Sequence, residues 1–428
     1  MKKHLLFWGF LTFVNFVSGQ KNIVIALQNP MNEARTDEPI ILTRKDLEKK
    51  AGKALLNKAP KFTKNTGEIL PSQTDDLNGD GTWDEVIFVT NFKNKEKYTV
   101  NITFVQPEEL PTLKKRTQAR LAKLDGEQFI AITKETMPKG HKQTDFSTTK
   151  MPLYQTEGPA WENDKVGFRL YFDPRNGKDI FGKTTSDLVL HKVGLPGGNY
   201  HVKSDWGMDV LKVGASLGAG ALALQVTDYQ GKTTLARLGD NVEQTTYELV
   251  SDGVVRSIFR LHYKNWQPTP GEKYNVMEEI HIIAGQYYIE SKVTINGLNS
   301  EKYLVTGIAN LLSQKALQFE GEKYGYLATH DTQSENKDKL GMGIVFDKTH
   351  FAGFGETPKS GSEKVLQTYF IKLKMKDKQP VAFKFYAAWE ATDQRFKDAG
   401  YFETFLQSEI KRFSQPIQVK GKGKFTKS

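Results

Sequence analysis

Residues 254–295 read VVRSIFRLHYKNWQPTPGEKYNVMEEIHIIAGQYYIESKVTI. Three apolar runs, Val254–Tyr263, Val276–Ile283 and Tyr287–Ile295, are parted by a Pro/Gly stretch and by Ala-Gly-Gln. β-branched and aromatic residues fill them and turn residues punctuate them, which is the pattern of consecutive strands. In the first run Val255, Phe259, Leu261 and Tyr263 share one face of a strand, and Arg256, Arg260 and His262 the other. Glu279 and His281 share a face of the second run. Read as a concave surface, the basic face suits a carboxylate or sulfate. Read as a solvent face, it forms cross-strand Arg–Glu pairs.

The same pattern recurs on both sides. Asn22–Leu27, Glu85–Val89, Lys97–Val105, Val166–Phe172, Tyr303–Ile308, Lys364–Leu373 and Val381–Ala388 are further strands. Two helices are expected. One spans Thr43–Leu56 with Thr43 as N-cap; the other lies in Asp393–Arg412, with Phe402, Phe405, Leu406 and Ile410 on one face. Many strands with few helices indicate an all-β sandwich or barrel. The stretch Gln106–Gly140 is rich in Lys, Arg, Glu and Pro and marks a boundary. The chain therefore divides into a smaller N-terminal β unit, residues 20–149, and a larger C-terminal unit, residues 150–428.

Lys2 and Lys3 precede an apolar run, Leu5–Val17, with Val17 and Gly19 placed for cleavage. Residues 1–19 are thus expected to be an export signal, and the mature chain is expected not to insert in a membrane. Cysteine is absent. That closes both a lipid-anchored export route and disulfides. The net charge is +10, which favours anionic partners. It is dispersed, with local runs only at Lys114–Arg116 and in the tail Lys420–Lys427. On charge alone the anionic partners are nucleic acid, lipopolysaccharide or acidic polysaccharide; the expected partner is an acidic or sulfated oligosaccharide and not nucleic acid. There is no zinc-protease spacing or kinase set.

Chemistry concentrates between Glu157 and Leu217, EGPAWENDKVGFRLYFDPRN…DIFGK…SDWGMDVLKVGASL. Charged side chains seldom crowd aromatics unless they face a polar ligand or one another. Lys165, Arg169 and Tyr171 alternate on one strand face, and Trp161, His201, Asp205, Trp206 and Asp209 lie close in sequence. His330 sits in an aromatic-rich stretch, YGYLATHD. In DLNGDGTWDE, residues 76–85, Asp76, Asn78, Asp80 and Asp84 occupy positions 1, 3, 5 and 9 of a calcium-loop pattern, while Ile87 stands where an EF-hand needs Glu. Either a structural Ca²⁺ or a plain Asn-Gly-Asp-Gly turn accounts for it. The glycine-rich GASLGAG, residues 214–220, reads as a tight turn or a close approach of sheets.

The motifs EGPAWENDKVGFRLYFDPRN, DIFGK and SDWGMDVLKVG resemble a family of exported Bacteroidota proteins of formerly undefined function found in polysaccharide-utilisation clusters. The resemblance runs from Asn29 to Glu390. It extends to an ulvan oligosaccharide dehydratase, and the C-terminal half is similar to the galactose-mutarotase-type super-sandwich. It implies removal of water from the non-reducing-end uronic acid of a sulfated oligosaccharide, leaving a 4,5-unsaturated uronate. A polysaccharide lyase and a non-catalytic glycan-binding protein are the alternatives. For such an elimination, which needs no cofactor, His201 or His330 would be the base, with Tyr171 as the acid. Lys165, Arg169 or Arg256 would bind the carboxylate or sulfate, with Asp205 also in the binding set. Trp161 and Trp206 would stack on the sugar.

Overall fold

The computed structural model describes residues 22–55, 57–227 and 230–421. The expected export signal, residues 1–19, and nearly all of the basic tail lie outside them. Among the described residues the strands form five antiparallel sheets with two α-helices. The protein is all-β, as the alternating runs predict. Lys97–Val105 forms over its full expected span, and Val381–Ala388 extends by a single residue to Trp389. No helix among the described residues is long and apolar enough to cross a membrane.

The larger body is a super-sandwich. A nine-stranded sheet packs against a layer made of a six-stranded and a five-stranded sheet. Trp161, Phe168, Phe259, Phe383 and Phe385 fill the space between the layers. The six- and five-stranded sheets are stitched by a bridge from Lys178 to Gly218. A Cβ on Gly218 would lie 2.1 Å from the Lys178 carbonyl oxygen, so GASLGAG is indeed a close approach of sheets. Helix Ala399–Ser414 covers the outer face of the nine-stranded sheet, with Phe402 and Leu406 seated over Gly341 and Gly343. Its N-cap is Asp398, which accepts from the Tyr401 amide. Thr43 caps the other helix, Arg44–Ala51.

The smaller body pairs a four-stranded with a three-stranded sheet around Ile25, Phe62, Phe88 and Ile102. Its sheets do not divide from the larger body at residue 149. Thr117–Asp125 and Gln128–Ile132 hydrogen-bond into the six-stranded sheet, and Lys134–Thr136 edges the nine-stranded one. In the other direction, Gln418–Gly421 crosses back to pair with Ile23–Gln28 in the smaller body. Composition marks the linker, but only long-range pairing assigns the strands that flank it.

A polar seam joins the bodies. Arg256 is buried, with Nε 2.8 Å from Asp75 and a nitrogen 3.1 Å from Glu85. Gln73 accepts from the amides of Val255 and Arg256 at 3.0 and 3.1 Å. Arg256 is therefore a strut between sandwiches and not a substrate ligand. The rest of the basic face is cross-strand pairing: Arg260 to Glu279 at 2.7 Å, His281 to Glu279 at 2.9 Å and His262 to Glu248 at 2.9 Å.

Candidate active site

The site grows from one hairpin. Strands Val166–Leu170 and Lys178–Lys183 pair so that Arg169 faces Asp179. The intervening Asp-Pro-Arg-Asn-Gly turn sets that register. Side chains facing Arg169 must compensate a guanidinium that is only 2% exposed. Asp179 lies at 2.8 Å and Asp209 at 2.7 Å. The Tyr200 hydroxyl accepts from Arg169 at 3.0 Å, and that of Tyr171 at 3.1 Å. Tyr171 donates in turn to Asp179 at 2.8 Å. Burial and the neighbouring Asp179 carboxylate push the Asp209 carboxyl well above its usual range. Burial likewise raises both tyrosines and keeps them as phenols.

Glu157 extends this network. It lies 3.7 Å from Arg169 and 2.9 Å from Arg175, whose guanidinium stacks on the Tyr171 ring at 4.0 Å. Thr156 and Glu157 are both held at positive φ, 56° and 63°. For a β-branched residue this is a strained conformation, of a kind that clusters at functional sites.

The network opens to solvent along the segment after Lys183. Glu162, fully buried, fastens that segment. Its carboxylate accepts from the amides of Val189 and Leu190 at 2.6 and 2.7 Å and is paired with Lys183 and Gln118. Gln155 holds the Val193 carbonyl at 2.6 Å. The chain then returns through Gly207–Asp209, paired with Phe181–Lys183. Gly207 has φ +127° and sits where a Cβ would meet the Gly182 carbonyl oxygen at 1.8 Å, so only glycine permits this pairing.

His201 stands at the opening. Its side chain is 60% exposed, and Nδ1 lies 3.5 Å from Asp209. Burial, helped by Arg169, lowers its pKa. We therefore read the contact as that of a neutral imidazole and not as an ion pair. Tyr200 adjoins it, with ring centroids 4.5 Å apart. Tyr200 and Trp206 both pack edge-on against Phe181 at 5.9 Å. Lys203 is exposed, with Nζ 5.3 Å above the Trp389 ring.

Of the residues expected from sequence, Arg169, Tyr171, His201 and Trp206 come together here. Asp205 is exposed nearby, and its carbonyl accepts from Thr184 at 2.8 Å. The others fall elsewhere. Lys165, past the far end of the strand, lies 5.8 Å over the Tyr287 ring. Trp161 is fully buried between Phe168 and Phe259 and cannot meet a sugar. His330 hydrogen-bonds the Phe396 carbonyl at 2.7 Å under the covering helix, which is a packing role. In the acidic loop, Asp76 accepts from the amides of Gly79 and Gly81, each at 2.7 Å, and Asp80 from Thr82 at 2.8 Å. Asp84 accepts from the amide of Leu77 at 2.8 Å and from the Asn78 side chain at 3.2 Å. The side chains thus serve the loop's own turns. No group of three or more His, Cys, Asp or Glu side chains among the described residues is arranged to hold a metal ion.

Asp179 and Tyr200 are not among the residues singled out from sequence, and Asp209 is singled out there without a role. The hairpin register could have supplied Asp179. Nothing local marks Tyr200 and Asp209 as partners of a guanidinium that lies 31 and 40 residues away.

The family model described as Domain of unknown function (DUF4861) matches residues 27–419. A curated relative, Uncharacterized protein P7 of Formosa agariphila, is 23% identical over 444 residues, spanning 97% of this chain and 99% of that protein. Two solved structures from Enterococcus faecalis also align. An alpha-mannosidase of strain V583 gives a TM-score of 0.47 at 9% identity over 94% of this chain and 46% of that one. A protein in the glycosyl hydrolase family 38 gives 0.48 at 10% identity over 94% and 48%. The chain spans about half the length of these two structures.

Proposed function

We propose the following for this chain, which belongs to the DUF4861 family: it is an exported carbohydrate-active lyase. It removes water from the non-reducing-end uronic acid of a sulfated, ulvan-type oligosaccharide and leaves a 4,5-unsaturated uronate. The observation that carries this reading is an exposed His201 adjoining the Tyr200 phenol, both backed by a buried Arg169–Asp179–Asp209 cluster.

The chemistry follows from those groups. His201 takes the C5 proton on the lone pair of Nε2, with Nδ1 carrying its own proton toward the Asp209 carboxyl oxygen. The C5–H electron pair becomes the C4=C5 bond, the C4–O bond breaks, and Tyr200 gives its proton to the departing hydroxyl, which leaves as water. Lys203, on the same exposed turn, neutralises the uronate carboxylate and makes the C5 proton acidic. Tyr171 is a positioning residue, because its hydroxyl is occupied by Arg169 and Asp179. Trp206 supports the turn and offers a sugar-facing edge.

The test incubates the protein with ulvan oligosaccharides that carry a saturated terminal uronate. Ultraviolet absorbance of the unsaturated product and product mass are followed together. Loss of one water at constant chain length is expected. Shorter products would make the protein a chain-cleaving lyase. Binding with no new absorbance would make it a glycan-binding protein.

A further inference from the structure

We propose that the cleft on the other side of Tyr171 is an anion subsite, built on Arg237, for a sulfate or carboxylate substituent of the bound glycan. This cleft of about 550 Å³ is lined by Gln143, Tyr171, Arg175, Arg237, Asp240 and Lys364, among others. The Arg237 residue is only 8% exposed. Its guanidinium donates to four backbone carbonyls: Arg175 at 3.2 Å, Ala215 at 2.7 Å, Ser216 at 2.9 Å and Lys364 at 3.3 Å. All four bonds fall on the two terminal nitrogens, so among the described residues Nε is left as a donor and the charge is not offset.

Other buried arginines here are neutralised. Arg35 has Glu38, Arg169 has Asp179 and Asp209, and Arg256 has Asp75. Arg237 has no carboxylate at ion-pair distance among the described residues. The one acid in the lining, Asp240, is 3.5 Å from Lys364. Arg175 is matched by Asp173 and Glu157. The uncompensated charge of the cleft is therefore that of Arg237. A buried cation without a counter-ion is unfavourable, and an arriving oxyanion offsets that cost.

Tyr171 is the shared wall. Its hydroxyl is in the Arg169 cluster and its ring is in the cleft, so an anion held there belongs to the same ligand that reaches His201. That last step rests on the function proposed above; the anion site does not.

Calorimetric titration of the full chain at low ionic strength separates the two. The probes are inorganic sulfate, glucuronate and uncharged glucose, against the wild type, Arg237→Gln and Lys364→Ala. We expect saturable binding of at least one anion and none of glucose. The preferred anion identifies the substituent. Arg237→Gln should bind about tenfold more weakly. Lys364→Ala, an exposed change, should bind about threefold more weakly with an unaltered melting temperature. Absence of saturable anion binding by the wild type, or equal binding by wild type and Lys364→Ala with Arg237→Gln either equal or unfolded, would overturn the site. Anion binding that persists without any unsaturated product would overturn the lyase reading alone.

Discussion

At the scale of the residue, His201 is set apart by what surrounds it more than by its type. It is the histidine at the opening, where Tyr200, the buried Asp209 and the Arg169 cluster meet. His330, in an equally aromatic stretch, is held by the Phe396 carbonyl. We expect His201→Ala to lower turnover by about a hundredfold or more with the melting temperature unchanged, since the side chain is largely exposed. Wild-type melting with full activity would remove His201 from the mechanism. The pH dependence carries a sign. Burial holds the imidazole below its ordinary value of 6.5, and the neutral form is the base. Activity should be present at neutral pH and fall on acidification, with its inflection below that value. An inflection above it would mean that Asp209 stabilises a cationic imidazole, which would overturn the reading of this contact as a neutral one. Arg169 and Tyr171 were legible in the sequence from strand alternation. Trp161, on the same reasoning, was not, because a tryptophan between two aromatic-rich strands reads alike whether it faces sugar or core.

At the scale of the element, the hairpin of Val166–Leu170 with Lys178–Lys183 and the segment that follows it act as one device. The hairpin supplies the cation, and the segment supplies Tyr200, His201 and Asp209. Glu162 binds the two together through amides that have no partner in a regular strand. Replacing Glu162 by Gln leaves Lys183 buried without an anion and puts an N–H₂ where an acceptor is needed. We expect a loss of about 3–5 kcal/mol in stability. Hydrogen exchange should accelerate first at the Val189 and Leu190 amides. Unchanged protection of those two amides would show that the segment is held in some other way. The strand spans themselves were legible because period-two alternation is local. The segment from Thr184 to Trp206 was not, because its order comes from side chains of Glu162 and Gln155 that lie earlier in the chain.

At the scale of the whole molecule, two sandwiches meet across a polar seam at Arg256, Asp75 and Gln73, and the last described strand returns to the first. Arg256→Ala removes the cation from a buried pair and leaves Asp75 without it. We expect a loss of about 3–5 kcal/mol and a broadened or two-step unfolding transition as the bodies uncouple. A wild-type, single-step transition would mean that the seam does not hold the bodies together. An arginine on a strand face looks the same in sequence as a ligand or as a strut. Only the arrival of Asp75, 181 positions earlier, distinguishes them.

The sequence by itself determined the class of the fold, most of the strand runs, the Thr43 helix cap and part of the residue set of the candidate site. Each of these rests on periods of two or 3.6 residues and on single-residue turn and cap preferences, which are local. Tertiary structure alone decided which charges became struts and which became the candidate site. Compensating a buried cation requires carboxylates from elements far apart in the chain, and that pairing is set by how the sheets stack.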